Sequence, residues 1–354
     1  MFVAWRDLRF ARGRFALIGT VVALISVLVG FLSGLTGGLA QQNVSGVLNL
    51  GADRIVLGPS VAGATPTFAD SSVAPAQQKE WKDSSGVTSA IPFGLSQTRA
   101  QTDADRTAVA IFATTPGERG APTAAGAITL SAPAATALQA AVGDTVTIAD
   151  TPYHVAGIRG DEWYSHTPVV WLTLADWQAQ QSKVGGGADA VTALLVSGDA
   201  DWSALDAEAG TVSTSTLGSL TLLPAFRSEI GSLLLIVALL FGISALVIGA
   251  FFTVWTMQRR GDVAILKALG ATTGALVRDA LGQALVVLIA TTALGTGIVV
   301  AAGIAVSGSL PFLLSPWTTV APAILMVVVG VIGAAFALRT VTTSDPLTAL
   351  GSNR

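Results

Sequence analysis

Glu229 is the residue from which chemistry can be argued first. It stands in Phe226-Arg-Ser-Glu-Ile-Gly-Ser232, and the 28 residues Ile230–Met257 that follow carry no charge. A carboxylate within a membrane span costs roughly 2.5–3.5 kcal/mol, and less near the interface. Two readings follow: an interfacial charge that sits in water above the span, or an oxygen donor that faces a ligand. Arg227, two residues earlier, offers a guanidinium to a carboxylate. A second cluster lies upstream, because the two histidines and two tyrosines of the chain are Tyr153, His154, Tyr164 and His166. Imidazole and phenolate can both ligate a metal. The plainer reading is surface and core positions of a β-domain, and on a strand Tyr153 and His154 must point to opposite faces. No spaced set of His, Cys, Asp and Glu marks a metal centre. There is no cysteine, and no nucleophile–base or paired-carboxylate arrangement stands out, since Asp161-Glu162 are mere sequence neighbours. No catalytic group and no resident metal are therefore assigned.

The elements that must position these groups are set by composition. The chain has 354 residues, of which 51% are hydrophobic and 12% charged, and its mean hydropathy is +0.66. A soluble domain carries about 25% charged residues, so this is an integral membrane protein. A net charge of -3 and a pI near 5.3 exclude a basic nucleic-acid binder. A bilayer core of about 30 Å needs about 20 apolar residues in a helix. Phe15–Leu35 and Ile230–Met257 each meet that length without a charge, and Ala280–Leu338 is uncharged throughout. The last run is too long for one span and is broken at 307–317, where Ser, Gly and two prolines cluster, giving Leu281–Val306 and Val320–Leu338. Span 1 is longer than the roughly 7–15-residue core of a signal peptide, so we read it as a retained helix.

Basic residues orient the chain. Arg6, Arg9, Arg12 and Arg14 precede span 1, Arg259, Arg260 and Lys267 follow span 2, and Arg339 follows span 4. With both termini inside, segment 39–228 lies outside with 9 basic and 17 acidic residues, while the inner segments hold 10 basic and 4 acidic residues. The divisions are then a basic cytoplasmic segment at 1–14, helix 1 at 15–38, an extracellular domain at 39–228 and helix 2 at 229–258. A cytoplasmic segment at 259–279, helix 3 at 280–306, an extracellular loop at 307–319, helix 4 at 320–338 and a cytoplasmic tail at 339–354 complete the chain. Gly30, Gly34 and Gly38 share one face of span 1, a spacing that suits either packing within the chain or a seam between two copies.

In the outer segment, short β-branched runs alternate with turn residues. Strands are expected at Asp53–Leu57, Arg106–Phe112 and Pro168–Leu172, a hairpin at Gly143–Ile148 and Tyr153–Ile158, and a helix from Ser131 to Ala141 with Ser131 as its cap. Gly185-Gly-Gly187 reads as a loop. The fold expected is an α-helical membrane protein with four transmembrane helices plus an α+β extracellular domain inserted between helices 1 and 2.

Between spans 2 and 3, Val263, Leu266 and Leu269 recur at helical spacing and Gly270 closes the run, so 261–270 predicts a short amphipathic helix. Thr272 or Thr273 can cap the next helix. Such an element either lies at the membrane interface or enters a groove on a partner. The stretch Arg260-Gly-Asp-Val-Ala-Ile-Leu-Lys-Ala-Leu-Gly-Ala-Thr272 resembles the coupling segment of MacB/FtsX-type ABC permeases, with Asp262 where the family more often has glutamate. The tail Asp345-Pro-Leu-Thr-Ala-Leu350 is similar to the family's ending, and the order of parts fits along the whole chain. Trp5–Phe15 and Leu32–Leu39 look like the small permeases of the HrtB/DevC branch, of which the HrtB type exports haem.

That resemblance implies a permease rather than an enzyme, in a bacterial plasma membrane. No G-x-x-x-x-G-K-[ST] sequence occurs, so the chain has no phosphate-cradling loop of its own. The family implies a separate cytoplasmic ATPase, two per complex, on a homodimer of this chain in membrane lipid. ATP would be bound by that partner, which would couple to this chain through Arg260, Asp262, Leu266, Lys267, Leu269 and Gly270. No intrinsic cofactor is expected, and haem enters as the transported ligand. It would meet Glu229, with Arg227 at a propionate and Phe226, Ile230, Leu233, Phe31 and Leu35 as apolar walls. Tyr153, His154, Tyr164 and His166 are the alternative haem ligands. Two other functions stay open: export of another amphipathic cargo (lipid, peptide or drug), and FtsX-like transmission of ATPase motion to an extracellular cell-wall hydrolase.

Overall fold

The computed structural model describes residues 12–342 apart from 60, 62, 184, 186–188, 259–264, 266–268 and 307. Among the described residues, four helices are long and apolar enough to cross a membrane. They are α1 (Arg12–Leu48), α7 (Pro224–Gln258), α8 (Thr273–Val306) and α9 (Pro316–Thr342). Between α1 and α7 lies an α+β domain, and the chain divides into a bundle unit, Met1–Gly38 with Ser232–Arg354, and a domain unit, Leu39–Gly231. The helices run past the spans expected from charge-free length. α1 continues ten residues beyond Gly38 to Leu48, and α7 begins at Pro224, before Glu229. No proline stands in 39–48, and Val44 and Val47 of that extension are buried in the domain core.

The domain is built on one long strand. β1 (Arg54–Leu57), β2 (Val87–Gln101), β3 (Arg106–Thr114), β4 (Ala127–Leu130), β5 (Thr145–Ile148), β6 (Thr151–Ile158), β7 (Trp163–Tyr164), β8 (Thr167–Thr173), β9 (Ala193–Gly198) and β10 (Val212–Ser215) form a sheet in the order β10-β1-β9-β2-β3-β8-β4-β6-β5, with β7 paired to β8. β5 returns to β2 at Ala100 and Gln101, so β2, β3, β8, β4, β6 and β5 close into a ring. β2 pairs β9 through Val87–Phe93 and β3 through Gly94–Gln101. It changes partner at Pro92–Gly94, where Gly94 leaves room for the Trp177 ring. β3 is buried on both faces: Val109, Ile111 and Ala113 point into the ring with Ile128, Val146 and Val155, while Ala110 and Phe112 point away. Phe112 meets Phe93, Tyr164 and Trp171, all edge to face at 5.1–5.8 Å, a geometry that favours aromatic contact.

The remaining helices of the domain cap and cover this sheet. α2 (Pro75–Asp83) buries Trp81, α3 (Ala132–Leu138) starts on Ser131, α4 (Leu174–Lys183) buries Trp177, and α5 (Trp202–Ala209) starts on Asp201. α6 (Thr216–Ser219) and a 3₁₀ turn at Leu220–Leu222 lead into α7. Ser131 Oγ accepts from the Ala134 N–H, as an N-cap should.

The bundle core holds Ile18, Val22 and Val29 of α1, Ile248, Phe252 and Trp255 of α7, Ala284 and Leu288 of α8, and Met326 and Ala334 of α9. Three buried hydroxyls are satisfied within their own helices, Ser26 by the Val22 carbonyl, Ser244 by Leu240 and Thr256 by Phe252, which removes the cost of a free hydroxyl in hydrocarbon; Thr36 Oγ1 of α1 has no partner among the described residues. The glycine face of α1 is filled from within the chain. A Cβ on Gly34 would enter the Phe312 ring, one on Gly38 would strike the Pro311 carbonyl, and one on Gly30 would lie 3.0 Å from Val299 Cγ2. Of the two readings of that spacing, the structure uses the face for packing within the chain.

This packing predicts opposite signs at two glycines. Gly34→Ala overpacks a closed contact and should cost about 1–3 kcal/mol. Gly297→Ala adds its methyl to open space and should be neutral or stabilise by up to about 1 kcal/mol through helix propensity. Thermal unfolding of the full chain in detergent checks the pair.

Candidate functional site

Three segments of the domain unit converge on the Glu229 carboxylate. The first is the β7–β8 turn. Tyr164 pairs Thr167 across it, and both central residues are left-handed, Ser165 at φ 46° and His166 at φ 62°. That is the conformation of a two-residue hairpin whose twist matches its strands, and histidine is among the few non-glycine residues that enter it readily. The second is the extension of α1, onto which the turn docks. The Ser165 N–H donates to the Asn43 carbonyl and the His166 N–H to the Gln42 carbonyl, each at 2.9 Å. The Trp163 N–H donates to Ser45 Oγ at 2.9 Å, and Gln41 Nε2 to Asp161 Oδ2 at 3.2 Å. Gly46 permits the approach, because a Cβ there would lie 2.9 Å from both the Phe112 ring and the Trp163 carbonyl.

The third segment is the start of α7. Glu229 Oε2 lies 2.8 Å from His166 Nε2 and accepts from Asn43 Nδ2 at 3.1 Å. The first contact needs its proton on Nε2, so His166 donates there. Among the described residues Oε1 accepts no hydrogen bond. The imidazole and carboxylate are 37% and 30% exposed, whereas Asn43 is fully buried. Asn43 Oδ1 has no partner among the described residues, and an unsatisfied buried amide oxygen costs about 1–3 kcal/mol.

The other candidates fall elsewhere. Arg227 is exposed and lines a shallow depression with Thr65, Thr67, Thr221 and Leu222. It leaves α7 about 200° around the helix from Glu229, so the two do not share a face. Phe226 packs half-buried against the domain core beside Leu220 and Leu223, and Ile230 is half-buried. Phe31, Leu35 and Leu233 belong to the bundle unit, where Phe31 meets Phe312 at 5.1 Å. Tyr153 and His154 do alternate on β6: Tyr153 is buried with its hydroxyl 2.7 Å from Gln180 Nε2, and His154 is exposed. Tyr164 is buried between Phe68 and Phe112. Burial raises the pKa of both phenols, so neither offers a phenolate. Of the four clustered residues, only His166 reaches Glu229. No group of three or more His, Cys, Asp or Glu poised for a metal ion occurs among the described residues.

The sequence reading did not single out Asn43. Its one signal is position, in Gln41-Gln42-Asn43, the first amide side chains after the charge-free run of span 1. At the opposite end of α7, Arg260, Asp262, Leu266 and Lys267 lie outside the described residues, as do residues 1–11 and 343–354. Of that segment, Leu269 is exposed and its N–H donates to the Ile265 carbonyl at 3.0 Å. Gly270 is left-handed at φ 94°, and Thr272 caps α8 by accepting from the Ala275 N–H at 3.3 Å.

Comparison with known proteins places this architecture. The family model of the MacB-like periplasmic core domain matches residues 17–211, and that of the FtsX-like permease C-terminal region matches residues 234–346. The chain belongs to the MacB/FtsX family of ABC transporter permeases. Its relatives include proteins provisionally named hemin transport system permease protein HrtB. That of Staphylococcus epidermidis is 24% identical over 365 residues, covering 100% of both chains. That of Staphylococcus haemolyticus is 25% identical over 364 residues, covering 99% of each. An uncharacterised ABC transporter permease of Mycobacterium tuberculosis is 23% identical over 360 residues, again covering 99% of each. Among solved structures, the periplasmic region of MacB from Actinobacillus actinomycetemcomitans is 11% identical, with a TM-score of 0.35 over 49% of this chain and 94% of that one. As an ABC transporter permease, the MacB/FtsX chain works with an ATPase partner and resides in a bacterial plasma membrane.

Glu162 supplies a prediction for the domain that carries the site. Burial raises its carboxyl pKa, reinforced by Asp161 and opposed by its own backbone N–H and by Arg159. Its Oε2 is buried without a partner among the described residues. A carboxyl with a raised folded pKa is fully compatible with folding below its unfolded pKa, and stability is lost as pH rises through the folded value. Glu162→Gln should therefore raise the Tm of the full chain at pH 7–8 by about 1–3 °C, with no gain near pH 4. Melting curves across that range test it.

Proposed function

We propose that this permease exports haem from the membrane to the outside of the cell, protecting the cell from excess haem, with ATP hydrolysed by two copies of a cytoplasmic ATPase on a homodimer of this chain. The observation that carries the reading is the Glu229 site. A carboxylate with one oxygen tied down and the other open stands at the head of a span that has no later charge. Ferric iron is a hard cation that a single carboxylate oxygen can ligate. Similarity to the HrtB relatives over the full length of the chain supports haem as the cargo. The bias of basic residues supports termini in the cytoplasm and the α+β domain outside.

In this reading the chain's residues have separate tasks. Glu229 meets the iron, and the apolar start of α7 at Ile230 lies against the porphyrin edge. The depression beside Arg227 receives a propionate only if the ligand extends around the helix, so the guanidinium is a secondary contact. ATP-driven closure of the partner acts on the segment between α7 and α8, and the continuous helices carry that movement outward.

A visible spectrum of the chain purified with its ATPase, recorded on titration with hemin, tests the proposal. A Soret band that shifts and follows the protein is expected, and Glu229→Gln should weaken the affinity by at least about tenfold and sensitise cells to haem. No shift with wild-type protein would point to another amphipathic cargo. Co-purification of a secreted hydrolase with no shift would point to mechanical transmission.

A further inference from the structure

We propose that His166 and Asn43 are positioning residues for Glu229. They hold Oε2 and leave Oε1 as the single oxygen offered to a ligand. This rests on the haem reading for the identity of that ligand, but the positioning itself stands on geometry within the domain unit. Both donors reach the same oxygen, at 2.8 and 3.1 Å, and come from different segments. Each donor is itself fixed. The His166 ring is aimed by a left-handed turn whose Ser165 and His166 N–H groups are bound to α1 carbonyls. Asn43 is fully buried within a helix.

Asn43 gives an independent argument. Its Oδ1 is buried with no partner among the described residues. A leucine at that position would fill a similar volume without stranding an oxygen, so packing alone does not account for an amide. The Nδ2 group accounts for it, through its bond to Glu229. The arrangement also sets the character of the ligand site. Two hydrogen bonds to Oε2 stop the carboxylate from turning to chelate with both oxygens and hold Oε1 in place before a ligand arrives. The result is a preorganised, one-point donor. The same two bonds join the head of α7 to the end of α1 and to the β7–β8 turn, so a ligand that pulls Glu229 away would free the head of α7 from both, while the turn stays bound to α1 through its own hydrogen bonds.

The test uses the full chain with its ATPase partner, hemin as the probe, and the variants His166→Leu, His166→Gln and Glu229→Gln. Positioning predicts that His166→Leu weakens hemin binding by about tenfold or more while the Soret and charge-transfer bands keep their wild-type positions. His166→Gln, which can still present an N–H, should recover most of the affinity. The double variant His166→Leu/Glu229→Gln should bind no more weakly than Glu229→Gln alone. Moved bands in His166→Leu would make His166 itself the iron ligand and overturn the proposal, as would unchanged affinity. If wild-type protein binds no hemin, the haem reading fails, and melting decides the positioning separately. Tm losses of the two single variants that do not add in the double variant sustain it, and strictly additive losses refute it.

Discussion

Glu229 introduces a charge near the start of a 35-residue helix that carries no ionisable group after it, and its partial burial leaves that charge to be met by side chains rather than by bulk water. Much of the surrounding architecture follows from meeting it. α1 does not stop at the end of its apolar run but continues to Leu48, far enough to place Asn43 under the carboxylate. The β7–β8 hairpin uses two non-glycine left-handed residues to turn His166 toward the same oxygen. Gly46 lets the hairpin and the Phe112 ring close on α1. Remove the carboxylate and the buried amide of Asn43 has no evident reason to be there.

The spans and the existence of an inserted domain were legible in the sequence because each depends on a long-range average. Hydropathy over about 20 residues, and the length of chain left between two such runs, are insensitive to local exceptions. Strands with regular β-branched alternation, such as Arg106–Thr114 and the β5–β6 hairpin, were legible for the same reason, as was the cap at Ser131. β2 was not. Its 15 residues contain Pro92 and Gly94, which read as turn signals. They mark the point where the strand changes partner, and only its pairing with both β9 and β3 makes it one element. The glycine spacing of α1 correctly signalled close approach but left the approaching partner open, and the loop before α9 that supplies Phe312 is far away in sequence.

Legibility of the site divided in the same way. Glu229 stood out because one charge against a 28-residue uncharged run is a local contrast. The cluster of histidines and tyrosines stood out by rarity, yet rarity does not separate core from surface. Tyr153 and Tyr164 were drawn into hydrophobic packing, His154 into solvent, and only His166 into the site. Asn43 is 186 residues from Glu229, and nothing local to a Gln-Gln-Asn run distinguishes a site residue from a polar helix end. The residues assigned to Glu229 from helical spacing fared according to the geometry of the helix. Arg227 sits two positions away and therefore on another face, and Phe226 packs into the domain.

Membership in the MacB/FtsX family gives this arrangement a mechanical context, since an ABC permease must convert the movement of an ATPase into a change at a distant site. On the proposed reading, a one-oxygen ligand held by donors from a turn and a neighbouring helix is a point at which such movement would act. The central claim, that Glu229 and not a histidine meets the iron, is tested most directly by electron–nuclear resonance of ferric haem bound to full-length protein carrying ¹⁵N-histidine. The account predicts a high-spin ferric signal with no ¹⁵N coupling of the strength that a ligating imidazole imposes. Strong coupling to ¹⁵N-histidine would contradict it.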